Sequence, residues 1–482
     1  MTIGRPLKLP PTVHRLLERL ETAGFAAWVV GGAVRDGLLG LPVRDWDVAT
    51  SARPVEVLAL FPVARPTGLR YGTVTVPAPE LPRGGVEVTT FRSDGPYPDA
   101  RHPAEVRFGA DFLADLARRD FTLNALAFHP ERGLVDPFGG AEDLAGRRLR
   151  AVGDPEQRFQ EDALRMLRAC RFCAELRLRP VKELLQAMRR HAVRLAAVSA
   201  ERQRDELSRL LLSPDPRRGL RLLRVGGLLP ILLPALAAAY GFRQSQVHAW
   251  SVYTHTLKTV AAAPPELAVR LAALLHDLGK TETRMEDPDG RPLFPGHARR
   301  SADLARATLA RLAFPRALLE QVALLVREHM FHWTPADGRS ALRRLLARVG
   351  PENLRALVAL RRADLLSLRP VVSGDHRLTV LAELEASVGE VLTARPPVRR
   401  GELALTGRDL TEAFLLPPGP VIGRLLGQLL EDVLDDPARN TRETLLRLAA
   451  SHLDVHHQVG PEVGGVVQGE QKGPPLPPGE DG

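Results

Sequence analysis

The sequence predicts an α+β protein in which a small mixed N-terminal domain is followed by a mainly α-helical remainder. Three observations carry this reading. Short β-branched runs punctuated by Pro and Gly fill the first 150 residues, apolar residues recur at helical spacing almost to the end, and a chain of 482 residues exceeds what one core fills. Such a length implies two to four domains.

In chain order, residues 12–24 have the apolar spacing of a short helix, and FAAWVV (25–30) reads as a strand ending at Gly31-Gly32. A second helix is expected to begin near Ala33. Further strands are expected around 45–49, 72–76 and 86–91, where Pro/Gly-rich turns bound each run. This head ends near residue 150. Beyond it, DALRMLRACRF, ELAVRLAALLHDL and RALLEQVALLVREHM repeat apolar residues every three or four positions. Breaks fall at 211–219, 261–267, 287–296 and 393–402. The expected division is a head over 1–150, a helical neck over 151–245, a second helical domain over 246–370 and a helical tail over 371–455. Residues 456–482 contain no packing pattern and are expected to be disordered.

The 66 Lys and Arg outnumber the 57 Asp and Glu, giving a net charge of +9 that favours a polyanionic partner. Most of these cations are arginines, whose planar fork suits phosphate. The two cysteines, Cys170 and Cys173, lack further metal ligands nearby and read as buried thiols in a helix. With 44% hydrophobic residues but no apolar run of about 18, and no signal-type start, a soluble cytoplasmic protein without membrane contact is expected.

Residues two apart in a strand face the same way, so Asp45 and Asp47 in RDWDVAT place two carboxylates side by side. Such a pair suits Mg2+, which takes one or two carboxylates and leaves room for substrate phosphates. A two-metal site can activate an attacking hydroxyl and stabilise leaving pyrophosphate. Gly31-Gly32 let a phosphate approach the backbone, the following helix points N–H groups at it, and Arg35 adds positive charge.

The whole stretch VVGGAVRDGLLGLPVRDWDVAT (29–50) resembles the signature of the nucleotidyltransferase superfamily that includes DNA polymerase β, and more closely the bacterial CCA-adding enzymes and poly(A) polymerases. LARRDFTLNALA (116–127), EDALRMLRACRF (161–172) and SAERQRDELSRLL (199–211) match the same family in the same order. The resemblance implies a polymerase β-like head in which Arg119 binds triphosphate while Asp120 and Asn124 organise the sugar. It implies a neck that selects the base and binds RNA. Along the helix expected at 161–172, Asp162, Arg165, Arg168 and Arg171 recur in steps of three and form a slowly turning stripe toward the nucleotide. Asp accepts hydrogen bonds and Arg only donates. Cytosine and adenine both offer an amino donor beside a ring-nitrogen acceptor, so an Asp162/Arg165 pair would accept CTP and ATP and reject UTP and GTP. Segment 90–116 resembles the flexible loop that complete CCA-adding enzymes use when switching from C to A, and its undiminished length implies that A is added. Glu87 reads more readily as an edge-strand charge than as a third carboxylate.

A second constellation lies downstream. YTHTLKTV supplies His255, LAALLHDLGK the adjacent His276-Asp277, FPGHARRSADLA His297, VREHMFHW His329 and LRRADLLSL Asp364. These segments resemble the helical HD phosphohydrolase domain. By that resemblance His255, His276, Asp277 and Asp364 hold one ion, with Asp277, His297 and His329 available for a second. Imidazole and carboxylate suit Mn2+, Ni2+, Fe2+ or Zn2+, any of which lowers the pKa of a bound water. His332 has no assigned role. Residues 403–449 resemble the C-terminal segment of tRNA nucleotidyltransferases, with Arg408, Arg424 and Arg442 as phosphate contacts. Together the motifs imply a template-independent tRNA 3′-terminal nucleotidyltransferase using CTP and ATP, with an HD domain that hydrolyses phosphate esters. A poly(A) polymerase, an enzyme adding only C or only A, and an HD phosphohydrolase whose head only binds RNA are the alternatives. The oligomeric state is not legible.

Overall fold

The head forms around strands whose valines bury one side. The computed structural model describes residues 7–95, 106–109, 111–244, 250–368 and 376–458. Helix α1 (Pro11–Thr22) leads into β1 (Ala27–Val30), α2 (Gly32–Leu38), β2 (Trp46–Thr50), α3 (Pro54–Leu60), β3 (Arg65–Gly68), β4 (Thr73–Pro77) and β5 (Gly85–Thr90). A hairpin of β6 (Arg92–Asp94) and β7 (Val106–Phe108) precedes α4 (Phe112–Ala117), β8 (Ala127–His129), β9 (Gly133–Val135) and α5 (Gly140–Ala145). Part of the loop expected at 90–116 lies outside the described residues.

Seven strands pair in the order β3-β4-β5-β2-β1-β8-β9, with β2 and β5 parallel and the other pairs antiparallel. Val48, Val74, Val76, Val86 and Val88 are buried, and α1 and α3 pack against their strands. By alternation Asp47 and Glu87 take the other face. Near β1 that face is covered by Phe112 and Leu116 of α4, which cluster with Trp28, Val30 and Ala49. The four expected strands form within one or two residues of their expected bounds. Strands β3, β8 and β9 are too short and weakly alternating to announce themselves.

The remainder is helical: α6 (Pro155–Glu161), α7 (Leu164–Glu175), α8 (Lys182–His191), α9 (Ala200–Leu211), α10 (Pro216–Val225), the short α11 (Leu229–Leu232) and α12 (Pro234–Ala238), then α13 (Val252–Ala262), α14 (Leu267–Leu275), α15 (His297–Arg311), α16 (Arg316–Glu328), α17 (Gly338–Val349) and α18 (Pro351–Ser367). The helix expected over 161–172 is broken. Asp162 is extended, at φ −147 and ψ 106, and its Oδ1 accepts the Leu164 N–H at 3.0 Å to cap α7. Asp162 therefore stands at a junction and not on the stripe of Arg165, Arg168 and Arg171. Cys170 and Cys173 are buried in α7, and burial pushes the Cys173 thiol up to about 12, as structural thiols require.

Residues 333–351 and 382 onward form a second unit. It contains α17, much of α19 (His376–Ala394), α20 (Gly407–Phe414), α21 (Pro420–Asp435) and α22 (Arg442–Gln458), around Leu405, Leu410, Leu425, Leu429, Val433 and Leu445. Helix α17, expected within the 246–370 domain, packs on α21 and belongs with the tail. Helix α22 extends into the segment expected to be disordered, and residues 459–482 lie outside the described ones. Among the described residues, no helix is long and apolar enough to cross a membrane.

Candidate active sites

Asp47 stands between buried Trp46 and Val48, so its carboxylate must take the face those two leave free. In register, Asp47 pairs with Glu87 of β5, and Glu87 with Thr75 of β4. Strand β5 is thus an inner strand, which corrects the reading of Glu87 as an edge charge: the β3–β4 hairpin occupies the edge. Asp45 lies just before β2, not within it, and pairs with Arg83 Nε at 2.5 Å. Burial, then the charges of Glu87 and Asp45, push Asp47 up to about 6 against the pull of Arg119. Carboxylates that repel one another at a partly open surface are relieved by a divalent cation, so the donor set fits one.

Gly31 adopts φ +69, and a Cβ there would lie 3.0 Å from Arg119 Nη1 and 3.8 Å from Asp47 Oδ2. Both its conformation and its neighbours demand glycine. Gly32 opens α2, where a Cβ would meet Arg35 Nη2 at an ordinary 3.6 Å.

From Gly31 a hydrogen-bonded chain runs inward. Arg119 Nη1 donates to the Asn124 carbonyl at 3.3 Å, and Arg35 Nη1 to Asn124 Oδ1 at 2.8 Å. Asn124 Nδ2 donates to Asp120 Oδ1 at 2.9 Å, while Arg168 Nε donates to Asp120 Oδ2 at 2.7 Å. Burial would raise Asp120, but Arg168 and Asn124 outweigh it and hold the carboxyl at about 2. Arg119 itself is held by Asp115, whose Oδ2 accepts Nη2 at 3.1 Å and whose Oδ1 accepts Arg118 Nη2 at 2.7 Å. Burial works against that buried carboxylate, yet the two arginines keep it below the usual range. The expected residues Gly31, Arg35, Asp47, Arg119, Asp120, Asn124 and Arg168 are therefore brought together.

The Arg165 N–H donates to the Asp162 carbonyl at 3.0 Å, but the two side chains take separate partners. Asp162 Oδ2 accepts Arg202 Nη2 of α9 at 2.7 Å, and Arg165 Nη1 donates to Glu161 Oε2 at 2.6 Å. Arg171 is 2% exposed and held by two ion pairs: Nε reaches Glu206 Oε2 and Nη1 reaches Glu175 Oε2, each at 2.6 Å. It sits inside the neck, with Glu206 linking it to Arg168 Nη1 at 3.7 Å. Asp115 carries no motif of its own, and Arg202 and Glu206 lie in the matching 199–211 segment without being singled out by it. The one signal available was the spacing of Arg202 and Glu206, four apart on one face of the quoted 199–211 helix.

All six expected ligands of the second constellation converge from α13, the ends of α14 and α16, the start of α15, and α18. His276, His297 and His329 each direct Nδ1 to a carbonyl three residues back, at 2.9, 2.9 and 2.6 Å. His255 Nδ1 meets Ser367 Oγ at 2.9 Å, and that hydroxyl donates onward to the Asp364 carbonyl. Nδ1 therefore carries the proton in each ring, leaving every Nε2 as a free lone pair. The Nε2 atoms of His255 and His276 lie 3.2 Å apart and 3.1–3.8 Å from Asp277 Oδ2 and Asp364 Oδ1. His297 and His329 place Nε2 3.6 and 3.7 Å from Asp277 Oδ1, and both atoms are buried without a hydrogen-bond partner.

Such spacings suit donors sharing ions at bonds of about 2.1 Å, with Asp277 dividing its oxygens between two sites. Burial, aided by Lys280, outweighs the pull of Asp277 and of the Phe294 carbonyl and keeps His297 below its usual value, which suits a ligand. His332 is exposed and outside the cluster. In the second unit Arg408 pairs with Glu412 at 2.8 Å and Arg442 with Asp409 at 2.7 Å, while Arg424 is exposed.

Comparison with known proteins matches the segments that carry the two constellations. Residues 27–150 match the family described as poly A polymerase head domain, 179–240 the "Probable RNA and SrmB-binding site of polymerase A", 248–368 the HD domain and 383–449 tRNA nucleotidyltransferase domain 2. The CCA-adding enzyme of Levilactobacillus brevis is 33% identical over 441 residues, covering 89% of this chain and 95% of that protein. That of Geobacillus stearothermophilus is 42% identical over 273 residues, 56% of this chain and 63% of the relative. The solved Bacillus stearothermophilus CCA-adding enzyme in complex with CTP has a TM-score of 0.72 and 29% identity, covering 94% of this chain and 100% of that one. The Thermotoga maritima CCA-adding enzyme complexed with tRNA shares the fold at a TM-score of 0.55 and 19% identity, over 94% of this chain and 100% of that one. With a relative matched nearly from end to end at this identity, the chain belongs to the CCA-adding enzyme family.

Proposed function

We propose that this protein builds and repairs the CCA end of tRNA in the cytoplasm, adding C and A from CTP and ATP without a nucleic-acid template. The observation that carries it is the meeting of Asp45, Asp47 and Glu87 with Gly31 and Arg119 in a chain whose end-to-end relatives are CCA-adding enzymes. Asp45 and Asp47 would hold Mg2+, with Glu87 beside them. Bound there, Mg2+ favours ionisation of the RNA 3′-hydroxyl and offsets charge on the leaving pyrophosphate.

The protein's own groups do the rest. Gly31 leaves room for triphosphate against Arg119, which Asp115 and the Asn124 carbonyl hold in place. Asp120, kept ionised by Arg168, and Asn124 orient the ribose. Asp162 and Arg165 read the base edge, with Arg202 fixing the former and Glu161 the latter. Arg171 acts through Glu206, which steadies α7 under Arg168. The working domains are head 1–150, neck 151–245, an HD domain over 246–370 without residues 333–351, and a tail that takes in 333–351 and would grip tRNA. Incubating tRNAs that end at the discriminator base, at C and at CC with CTP, ATP or both, then sequencing the products, tests the reading. Completion to CCA on all three is expected. Products stopping at C or CC with both nucleotides, or A added only to the CC end, would mean a partial enzyme, and long A tails a poly(A) polymerase.

A second activity is supported by the four free Nε2 atoms around Asp277 and Asp364. These residues would hold Mn2+, Ni2+, Fe2+ or Zn2+, which lowers the pKa of a bound water for attack on phosphate esters. Trimming of 2′,3′-cyclic or 2′/3′-phosphate RNA ends fits that chemistry.

A further inference from the structure

We infer that Ser367 is a positioning residue of the HD cluster, and that its hydroxyl, with Thr259 behind it, sets the affinity of one metal site without setting that of its neighbour. The inference deepens the HD reading and rests on it for the ions. Three of the four imidazoles in the cluster find their Nδ1 partner in a backbone carbonyl three residues back, so no side chain governs their orientation. His255 is different. Its Nδ1 meets the Ser367 hydroxyl at 2.9 Å, a contact that joins α13 to the end of α18 across 112 positions of sequence. Trp250, just before α13, ties down the same helix end by donating Nε1 to the Leu368 carbonyl at 3.0 Å.

The direction of the proton follows from the end of α18. Asp364 supplies one of the last four carbonyls of that helix, which the helix itself leaves without a donor, and Ser367 Oγ donates to it at 2.7 Å. A hydroxyl has one hydrogen and two lone pairs. With the hydrogen on Asp364, the lone pairs are left for donors: the Nδ1–H of His255 and the hydroxyl of Thr259, whose Oγ1 lies 2.9 Å away. Thr259 follows His255 by four positions, on the same face of α13, and its Oγ1 is also 3.0 Å from the His255 carbonyl. All three side chains are buried, so solvent has little access to these bonds. Ser367 therefore holds His255 in the tautomer that leaves Nε2 free toward Asp364 Oδ1, 3.1 Å away, while gripping the backbone of that same aspartate. It fixes two proposed ligands of one ion against each other. His297 and His329, which face the other oxygen of Asp277, bond through Nδ1 to Phe294 and Val326 instead. An outer hydrogen-bond partner of a ligating imidazole typically controls metal affinity by about 10- to 100-fold.

The test uses the full-length protein carrying Asp45→Ala and Asp47→Ala, so that the head carboxylates take no ion, titrated calorimetrically with Ni2+. This background should bind two ions per chain. Adding Ser367→Ala should weaken one of them about 10- to 100-fold and leave the other unchanged. Ser367→Thr, which keeps the hydroxyl, should bind as the background does, and Thr259→Val should cause a smaller loss at the same site. Phosphodiester hydrolysis by Ser367→Ala should need more Ni2+ to reach half its rate, yet attain the same rate at saturation. In metal-free protein labelled with 15N-histidine and held at mildly alkaline pH, the His255 signal, assigned by its absence in His255→Gln, should report Nδ1–H in the background and lose that preference in Ser367→Ala. Equal weakening of both ions, as a merely structural role would produce, overturns the inference. So does unchanged affinity at both sites, a Ser367→Thr variant as weak as Ser367→Ala, or an unchanged His255 tautomer. If the background binds no Ni2+, the HD reading fails, whereas the His255 tautomer still judges Ser367.

Discussion

At the scale of single residues, the head site is defined by carboxylates held at odds with their surroundings. Asp47 is raised from 3.8 to about 6 by burial and by Glu87 and Asp45. A carboxyl raised on folding favours the folded state below its unfolded pKa, and that contribution is lost as pH rises through the folded value. In metal-free protein, Asp47→Asn should therefore raise stability by up to about 3 kcal/mol at pH 8 and leave it almost unchanged below pH 4. Thermal melts in EDTA at the two pH values measure this. Mg2+ should stabilise the parent more than the variant, and parental nucleotide addition at limiting Mg2+ should climb as pH passes about 6. Asp115 makes the opposite case, a buried carboxylate kept ionised by Arg118 and Arg119. Asp115→Asn keeps the shape but loosens Arg119, and the KM for CTP should rise about tenfold, roughly 1.4 kcal/mol, with a smaller change in kcat. An equal fall in kcat with constant KM would assign Asp115 to general stability. Asp47 was legible because a D-x-D pair is rare chemistry in a strand. Asp115 was not, because one acid on a short helix has the pattern of a solvated face, and only the fold shows that it is buried.

At the scale of elements, the break between α6 and α7 matters more than either helix. Periodicity through EDALRMLRACRF reads as continuous, since a one-residue kink leaves the apolar spacing intact, and so the sequence placed Asp162 on the Arg165 stripe. The extended Asp162 instead turns toward α9 and is anchored by Arg202. Glu87 was misplaced for a related reason: the edge strand β3, ARPTG-like and almost without alternation, hides the fact that β5 is interior. By contrast the long helices and the interior strands β1, β2, β4 and β5 were legible because buried periodicity is their whole basis. If the junction reads the base, Asp162→Asn with Arg165→Gln should raise incorporation of UTP and GTP relative to CTP and ATP by about tenfold or more, or 1.4 kcal/mol. Arg202→Gln should shift selectivity in the same direction to a smaller degree, because it frees Asp162 without altering its acceptors. Competition assays with all four nucleotides measure both, and an equal loss with every nucleotide would remove base reading from this junction.

At the scale of the whole molecule, two metal-suited constellations occupy one chain and share no residue. The first depends on strand register and a glycine turn, the second on helix ends that aim imidazoles at Asp277. The second was the more legible, since each ligand came with its own helical motif, whereas its division by Asp277 and the Nδ1 bonds that free each Nε2 required the coordinates. Independence of the residue sets has a consequence for variants. Asp45→Ala with Asp47→Ala removes the carboxylates proposed for Mg2+ and leaves His255, His276, Asp277 and Asp364 intact, so nucleotide addition should vanish while phosphoester hydrolysis survives. His276→Ala with Asp277→Ala should do the reverse, because among the described residues those side chains pair within their own cluster and not with the head residues proposed to hold the nucleotide. Incorporation of CTP and ATP into tRNA would be measured beside phosphatase and phosphodiesterase assays with added nickel, manganese or magnesium. The second pair also empties a buried charged cluster, so the more conservative His297→Gln, which keeps a polar side chain at the start of α15, separates lost chemistry from lost folding. If the parent hydrolyses nothing with any of these metals, the HD helices have a structural or RNA-binding role and no catalytic one, and loss of both activities in either pair would show that the two sites are not independent.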